Sequence, residues 1–300
     1  MSRGKQKKLA VINDMTCFGR CALTVSIPII SAMKLQCCPL PTALFSNHTA
    51  YPSFFKEDFT KQMSVIMEEW KKLGLEFEGI LVGYLGSAGQ MEVVQQFVRE
   101  FSTAETIVTL DPVMGDNGRR YPSYTEEMSR NMQDLVGEAD LITPNLTECC
   151  LLTDAPYLKR LADGKRLERA EILEMGENLL YRMSLTREKA DKSKPDKNKT
   201  ERKKKQVVIS GIPGDGMLTN LCLTEGEEPR WLSSEKIGTE RCGTGDVFAA
   251  IVAAGGVLGM PLEEAVEKAA RFIGRCMKRS EELEIPLTDG ICLEEFLSEL

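Results

Sequence analysis

The chain of 300 residues has one histidine, and no two of its ten cysteines fall in a Cys-x-x-Cys spacing. A zinc site, which draws on several Cys or His ligands, is therefore not expected. The cysteines are scattered or adjacent (Cys37-Cys38, Cys149-Cys150) rather than laid out as a disulfide framework, and reduced thiols in the cytoplasm are the simplest account. No apolar run approaches the ~20 residues of a membrane span. The basic start, Met1 to Lys8, leads only into Leu9-Ala10-Val11-Ile12, too short for the core of a signal peptide. An excess of positive charge is also lacking, with 38 Lys and Arg against 45 Asp and Glu, and a net charge of −7 argues against general nucleic-acid binding. Three catalytic signatures are missing as well. There is no Gly-x-x-x-x-Gly-Lys-Ser/Thr phosphate loop, no Gly-x-Gly-x-x-Gly after a strand, and no Gly-x-Ser-x-Gly elbow.

What is present is an ordinary globular composition, 42% hydrophobic and 28% charged, long enough for one large α/β domain with a full core. Buried strands are expected at 8–13, 78–84, 106–110, 139–143 and 206–210. A bulged or edge strand is expected over 36–45, where Pro39 and Pro41 interrupt the ladder. Helices are expected at 21–33, kinked or opened by Pro28, and at 56–73, 90–101, 124–136, 168–185, 247–258, 262–279 and 293–300. Alternation of strand and helix predicts a mostly parallel sheet covered on both faces. The segments 217–224 and 230–237 add a late antiparallel pair. From Thr186 to Lys205 the composition turns lysine-rich and almost free of apolar residues, which predicts a disordered, solvated insert. No repeat or domain boundary is evident.

The stretch Arg241-Cys242-Gly243-Thr244-Gly245-Asp246-Val247-Phe248 reads as a glycine turn opening a helix. Unpaired amides and the positive end of the helix dipole would face an anion above Gly243. Asp246 beside such an anion either favours the first turn or takes a proton from an alcohol attacking a phosphate. Asp14, Asn47-His48-Thr49, Tyr84, Asp111, Asp116, Asn145 and Glu148 all follow predicted strands, and the carboxyl ends of parallel strands form a ligand crevice. Each has a plainer alternative: Asp111-Pro112 as a turn starter, Asn145 as a helix cap, Glu148 as a first-turn acid, His48 as a structural residue, Tyr84 as core. Asp111, Asp116 and Glu148 together are hard oxygen ligands suited to Mg²⁺ held with nucleotide phosphates.

Gly243-Thr244-Gly245-Asp246 resembles the anion-hole motif of the ribokinase-like superfamily. Four further segments are similar to its vitamin B6 branch, the pyridoxal, pyridoxine and pyridoxamine kinases. They are Phe45-Ser46-Asn47-His48-Thr49, Gly83-Tyr84-Leu85-Gly86-Ser87, Asp111-Pro112-Val113-Met114-Gly115-Asp116, and Thr143-Pro144-Asn145 with Glu148, and they occur in family order. The resemblance implies a three-layer α/β/α ribokinase-like fold and ATP-dependent phosphorylation of the 5′-hydroxymethyl group of a B6 vitamer. It implies Asp246 as base, with the amides of Gly243, Thr244 and Gly245 as anion hole. Asp14, His48, Thr49 and Tyr84 would bind the vitamer, and Asp116, Asn145, Glu148, Ser210 and Thr244 the nucleotide. Asp111, Asp116 and Glu148 would serve Mg²⁺; a monovalent cation is left open, and a homodimer is suggested. Many members carry Ser-His after the first strand where this chain has Asp14-Met15. Hydroxymethylpyrimidine kinase and a non-catalytic B6 carrier or regulator are the alternatives.

Overall fold

The computed structural model describes residues 6–122, 124–193 and 203–300. In chain order the elements are β1 (Lys8–Thr16), α1 (Leu23–Ala32), β2 (Gln36–Phe45), β3 (Lys56–Asp58), α2 (Thr60–Lys72), β4 (Gly79–Val82), α3 (Ala88–Phe101) and β5 (Ile107–Leu110). The hairpin β6 (Gly115–Asp116) and β7 (Arg119–Arg120) comes next, then α4 (Glu126–Glu138), β8 (Leu141–Ile142), α5 (Leu146–Thr153), α6 (Leu158–Ala162) and α7 (Arg169–Ser193). The chain continues through β9 (Gln206–Pro213), β10 (Met217–Thr224), β11 (Arg230–Glu235), α8 (Thr244–Leu258) and α9 (Leu262–Glu282).

Nine strands make one sheet in the order β11-β10-β9-β8-β5-β4-β1-β2-β3. The strands from β9 across to β2 run parallel, while β10, β11 and β3 join antiparallel at the flanks. Side chains alternate across each strand and so feed two cores. Ala10 and Ile12 of β1 enter a core with Met63, Phe97, Met132 and Cys149 from α2, α3, α4 and α5. Leu9 and Val11 enter the other, with Leu23, Ile29, Val247, Ile251 and Val266 from α1, α8 and α9. This is the three-layer arrangement that the sequence predicts. From β1 the chain passes to β2 on one side and later to β4 on the other, so the order reverses at β1. A crevice beyond the strand ends forms at such a reversal.

Four local expectations differ from the structure. Residues 56–58 form an edge strand rather than helix, with Lys56 opposite Phe45, and the Asp58 carboxylate accepts the Thr60 amide to start α2 afterwards. Helix α5 escapes periodicity analysis because every residue from Leu146 to Leu152 is buried, leaving no polar face to set a period. The expected closing helix 293–300 is replaced by turns and a single 3₁₀ turn, Leu297–Glu299. Its apolar residues Leu293, Phe296 and Leu297 still pack on the α1/α8/α9 core.

The fourth difference concerns the expected insert. Helix α7 continues to Ser193, well into the lysine-rich run, whose middle, 194–202, lies outside the described residues. At its end the lysines are structural. Lys205 is buried, its Nζ donating to the Ala139 carbonyl at 2.6 Å and pairing with Asp140 at 3.1 Å, and Lys203 Nζ donates to the Thr106 carbonyl at 2.5 Å. Among the described residues no helix is long and apolar enough to cross a membrane.

Candidate active site

The turn before α8 is built on Gly243, at φ +78°. A Cβ there would fall 1.9 Å from the Arg20 carbonyl oxygen, so the residue must be glycine on steric as well as conformational grounds. Arg241, buried just ahead of the turn, donates through Nη1 to the carbonyls of Ile285 at 2.6 Å and Pro286 at 3.1 Å. The rim of the helix start is thus fastened to a segment some forty residues further on. Thr244 Oγ1 donates back to the Arg241 carbonyl at 3.2 Å, and Cys242 Sγ donates to the Thr288 carbonyl at 3.1 Å. Burial pushes the Cys242 thiol up to about 11, so it is a neutral donor near pH 7.

Asp246 stands in the first turn of α8. Its Oδ1 accepts from Asn13 Nδ2 at 3.0 Å, and the Ala22 amide also donates to its carboxylate. Ala22 holds a left-handed φ of 51°, a conformation that costs an alanine energy and that here turns its N–H toward the acid. Burial raises the Asp246 pKa against the opposing pull of those donors and of His48. Asn13, which sequence reasoning passed over as the polar end of a buried strand, proves to be the joint of the site. Its Oδ1 accepts the amides of Asp14 and Tyr84, both at 2.9 Å, which fixes the amide group and directs Nδ2 at Asp246. The signal in the sequence was an uncapped amide side chain closing an otherwise apolar run.

Around this joint lie the residues expected to hold a vitamer. Asp14 is buried, accepts from Thr16 Oγ1 at 2.7 Å, and has its pKa raised to about 7, chiefly by desolvation. The ring of Tyr84 meets Phe45 edge-on at 5.9 Å between centroids. His48 is half-buried, and burial lowers its pKa. Its Nδ1 accepts the Ala50 amide at 3.3 Å, so the neutral ring carries its proton on Nε2. Thr49, next to it, is exposed.

The second group of acids gathers at the ends of β5 and β8. Asn145 and Glu148 form a capping box on α5. Asn145 Oδ1 accepts the Glu148 amide at 3.0 Å, while Glu148 Oε2 accepts the Asn145 amide at 2.8 Å. Asn145 Nδ2 also donates to the Gly115 carbonyl at 3.0 Å, and Glu148 Oε1 accepts the Met114 amide at 3.2 Å. The box therefore holds the β6–β7 hairpin, whose turn residues Asn117 and Gly118 have φ of 50° and 71°. Asp116 sits at that turn and shares a hydrogen bond with Glu240, a residue that sequence reasoning did not single out.

Burial raises the pKa of each of these acids, and neighbouring carboxylates add to it. Asp116 rises to about 6, helped by Glu240, and Asp111 to about 8 in the field of Asp246, despite a 2.9 Å hydrogen bond from Thr143 Oγ1. Glu148 is raised well above the usual range, with Asp111 beside it. The hydroxyl of Tyr121 feels Glu148, Asp116, Asp246 and Asp111 together, which places both acid groups around one space. Among the described residues, no three His, Cys, Asp or Glu side chains could hold a metal ion by themselves. The donor set fits a cation that brings other ligands, as Mg²⁺ carried by a nucleotide does. Ser210 of β9 donates its amide to the Pro144 carbonyl at 2.9 Å, next to the capping box.

The fold and the site together define an α/β phosphotransferase acting on an alcohol. The chain belongs to the phosphomethylpyrimidine kinase family, whose pattern matches residues 30–180 and 177–288. It is 26% identical to the pyridoxine/pyridoxal/pyridoxamine kinase of Bordetella avium over 275 residues, 87% of this chain and 81% of the relative. A Bacteroides thetaiotaomicron protein named for phosphomethylpyrimidine kinase, solved in a crystal form with pyridoxal, is similar at 34% identity and a TM-score of 0.84, covering 98% of this chain and 96% of that one. Pyridoxal kinase from Lactobacillus plantarum shares the fold, with a TM-score of 0.81 at 23% identity over 98% of this chain and 96% of that one.

Proposed function

We propose that the protein transfers the γ-phosphoryl group of ATP to the 5′-hydroxymethyl group of a vitamin B6 vitamer, giving the 5′-phosphate and ADP. One observation carries this reading: a carboxylate fixed by Asn13 and Ala22 at the amino end of α8, where an alcohol and a phosphoryl group would meet. Asp246 takes the hydroxyl proton as the oxygen forms its bond to phosphorus and the bond to the departing ADP oxygen breaks. Its raised pKa makes it a stronger base than an exposed aspartate. The amides of Gly243, Thr244 and Gly245 face the transferring group and offset its charge, as a helix start does for phosphate.

Tyr84 supplies a flat face for the pyridine ring, with Asp14, His48 and Thr49 at its edge. Asp116, Glu148, Ser210 and Thr244 serve the nucleotide, and Asn145 shapes the shell through its cap. Asp111, Asp116 and Glu148 would hold Mg²⁺ together with phosphate oxygens; when bound, the ion offsets the charge of the polyphosphate. The ten cysteines are all free thiols, in keeping with a cytoplasmic enzyme. A homodimer is part of the same reading, and sedentation of the purified chain at twice its monomer mass checks it.

The family match and the named Bacteroides relative favour a second substrate, hydroxymethylpyrimidine, also a flat aromatic alcohol. A coupled ADP-release assay with Mg²⁺·ATP against pyridoxal, pyridoxine, pyridoxamine and hydroxymethylpyrimidine decides between them. The vitamers are expected to show the higher kcat/KM. A preference for the pyrimidine, or tight vitamer binding without ATP consumption, overturns the assignment.

A further inference from the structure

Lys56 belongs to none of the motifs above, yet the fold delivers its charge to the vitamer side of the crevice. It opens edge strand β3 directly opposite Phe45, the last residue of β2. From there its Nζ stands 5.7 Å from the ring centroids of both Phe45 and Tyr84, and it donates to Tyr84 Oη at 3.3 Å. Two aromatic faces hold an ammonium by their quadrupoles without neutralising it. Tyr84 itself is fixed, since its amide donates to Asn13 Oδ1 at 2.9 Å and its carbonyl accepts from Thr42 Oγ1 at 3.0 Å. Among the described residues no carboxylate makes an ion pair with Lys56. Asp58, two residues on, instead accepts from the Thr60 amide at 2.9 Å and Gln90 Nε2 at 3.1 Å. The field of Lys56 nevertheless reaches Asp14, so the ammonium and the candidate ring-binding acid share one space.

We propose that Lys56 determines vitamer specificity, admitting pyridoxal and pyridoxine, whose 4′ substituents are neutral, and disfavouring pyridoxamine, whose 4′ aminomethyl group is an ammonium near pH 7. The inference rests on the B6 reading of the site. A cation without an ion-pair partner, held against two rings at the rim of the crevice, repels a second one and attracts the ionised phenol that all three vitamers can present, so discrimination falls on the 4′ substituent. Asp14 pulls the other way, and its partial protonation near pH 7 weakens that pull.

The test compares kcat/KM for the three vitamers in the wild type, Lys56→Met and Lys56→Arg, with Mg²⁺·ATP at pH 7. Lys56 lies on an exposed edge, so matched thermal midpoints are expected for all three proteins. The wild type should use pyridoxamine about tenfold less well than pyridoxal or pyridoxine, chiefly through KM. Lys56→Met should shrink that gap to about twofold, and Lys56→Arg should keep it. An unchanged gap in Lys56→Met, or a wild type that prefers pyridoxamine, overturns the inference while the B6 reading stands. A wild type that turns over no vitamer overturns both.

Discussion

The acids of the two groups in the crevice all have their pKa raised by burial, but the groups differ in the neighbours that surround them. Asp246 is surrounded by donors, Asn13 Nδ2 and the Ala22 amide, that settle its orientation. Asp111, Asp116 and Glu148 are crowded by other acids, and their pKa values rise together. A base needs one well-aimed lone pair, and donors behind it supply that. A seat for a nucleotide-borne cation needs carboxylates that ionise when the cation arrives, and burial with crowding favours their protonated form until then.

The largest test of this contrast removes the proposed base. Asp246→Asn is expected to lower kcat by roughly 10²–10⁴ with ATP binding nearly intact, measured by steady-state kinetics and nucleotide titration. Near-normal turnover would take Asp246 out of the chemistry. Next comes the backbone that presents it: Gly243→Ala forces a Cβ against the Arg20 carbonyl at positive φ. A loss of about 2–4 kcal/mol in urea unfolding is expected, the range of severe steric strain.

Asn13→Ala probes the donor side. Without its hydrogen bond the Asp246 pKa climbs further, so the acidic limb of the pH–kcat profile should move to higher pH, with kcat down about tenfold. A variant whose kcat drops without that shift would reduce Asn13 to a structural tie. The crowded side titrates in the same direction. Asp111, at about 8, and Asp116, at about 6, hold protons that the unfolded chain, with carboxyls near ~4, has released. Stability of the nucleotide-free protein should therefore fall by several kcal/mol as pH rises from about 4 to about 8. Asp111→Asn should flatten that slope, and Mg²⁺·ATP should offset it. The smallest effect belongs to Asn145→Ala, which removes a cap and should cost about 1 kcal/mol in the same unfolding assay.

The arrangement of strands and helices was legible because each parallel strand of the main sheet carries a short apolar run and each exposed helix a polar face. Where burial is complete that logic fails, as it does at α5, whose residues face core on every side. It fails also at Lys56, because an edge strand of three residues has too few positions to show alternation. Strand-end acids could be read as a group, since the parallel order forces their loops to one edge. Asn13 and Glu240 could not. The role of Asn13 depends on bonds to Tyr84 and Asp246, and that of Glu240 on nearness to Asp116, all between residues far apart in the chain. Of the lysine-rich run, composition suggested solvation, whereas Lys205 finds a carbonyl and a carboxylate inside the fold.

Arg241 gives the crevice a late date of assembly. Its guanidinium closes on the carbonyls of Ile285, Pro286 and Gly290. A growing polypeptide thus has the start of α8 unbraced until synthesis has passed Gly290, well beyond the end of the last sheet strand at Glu235.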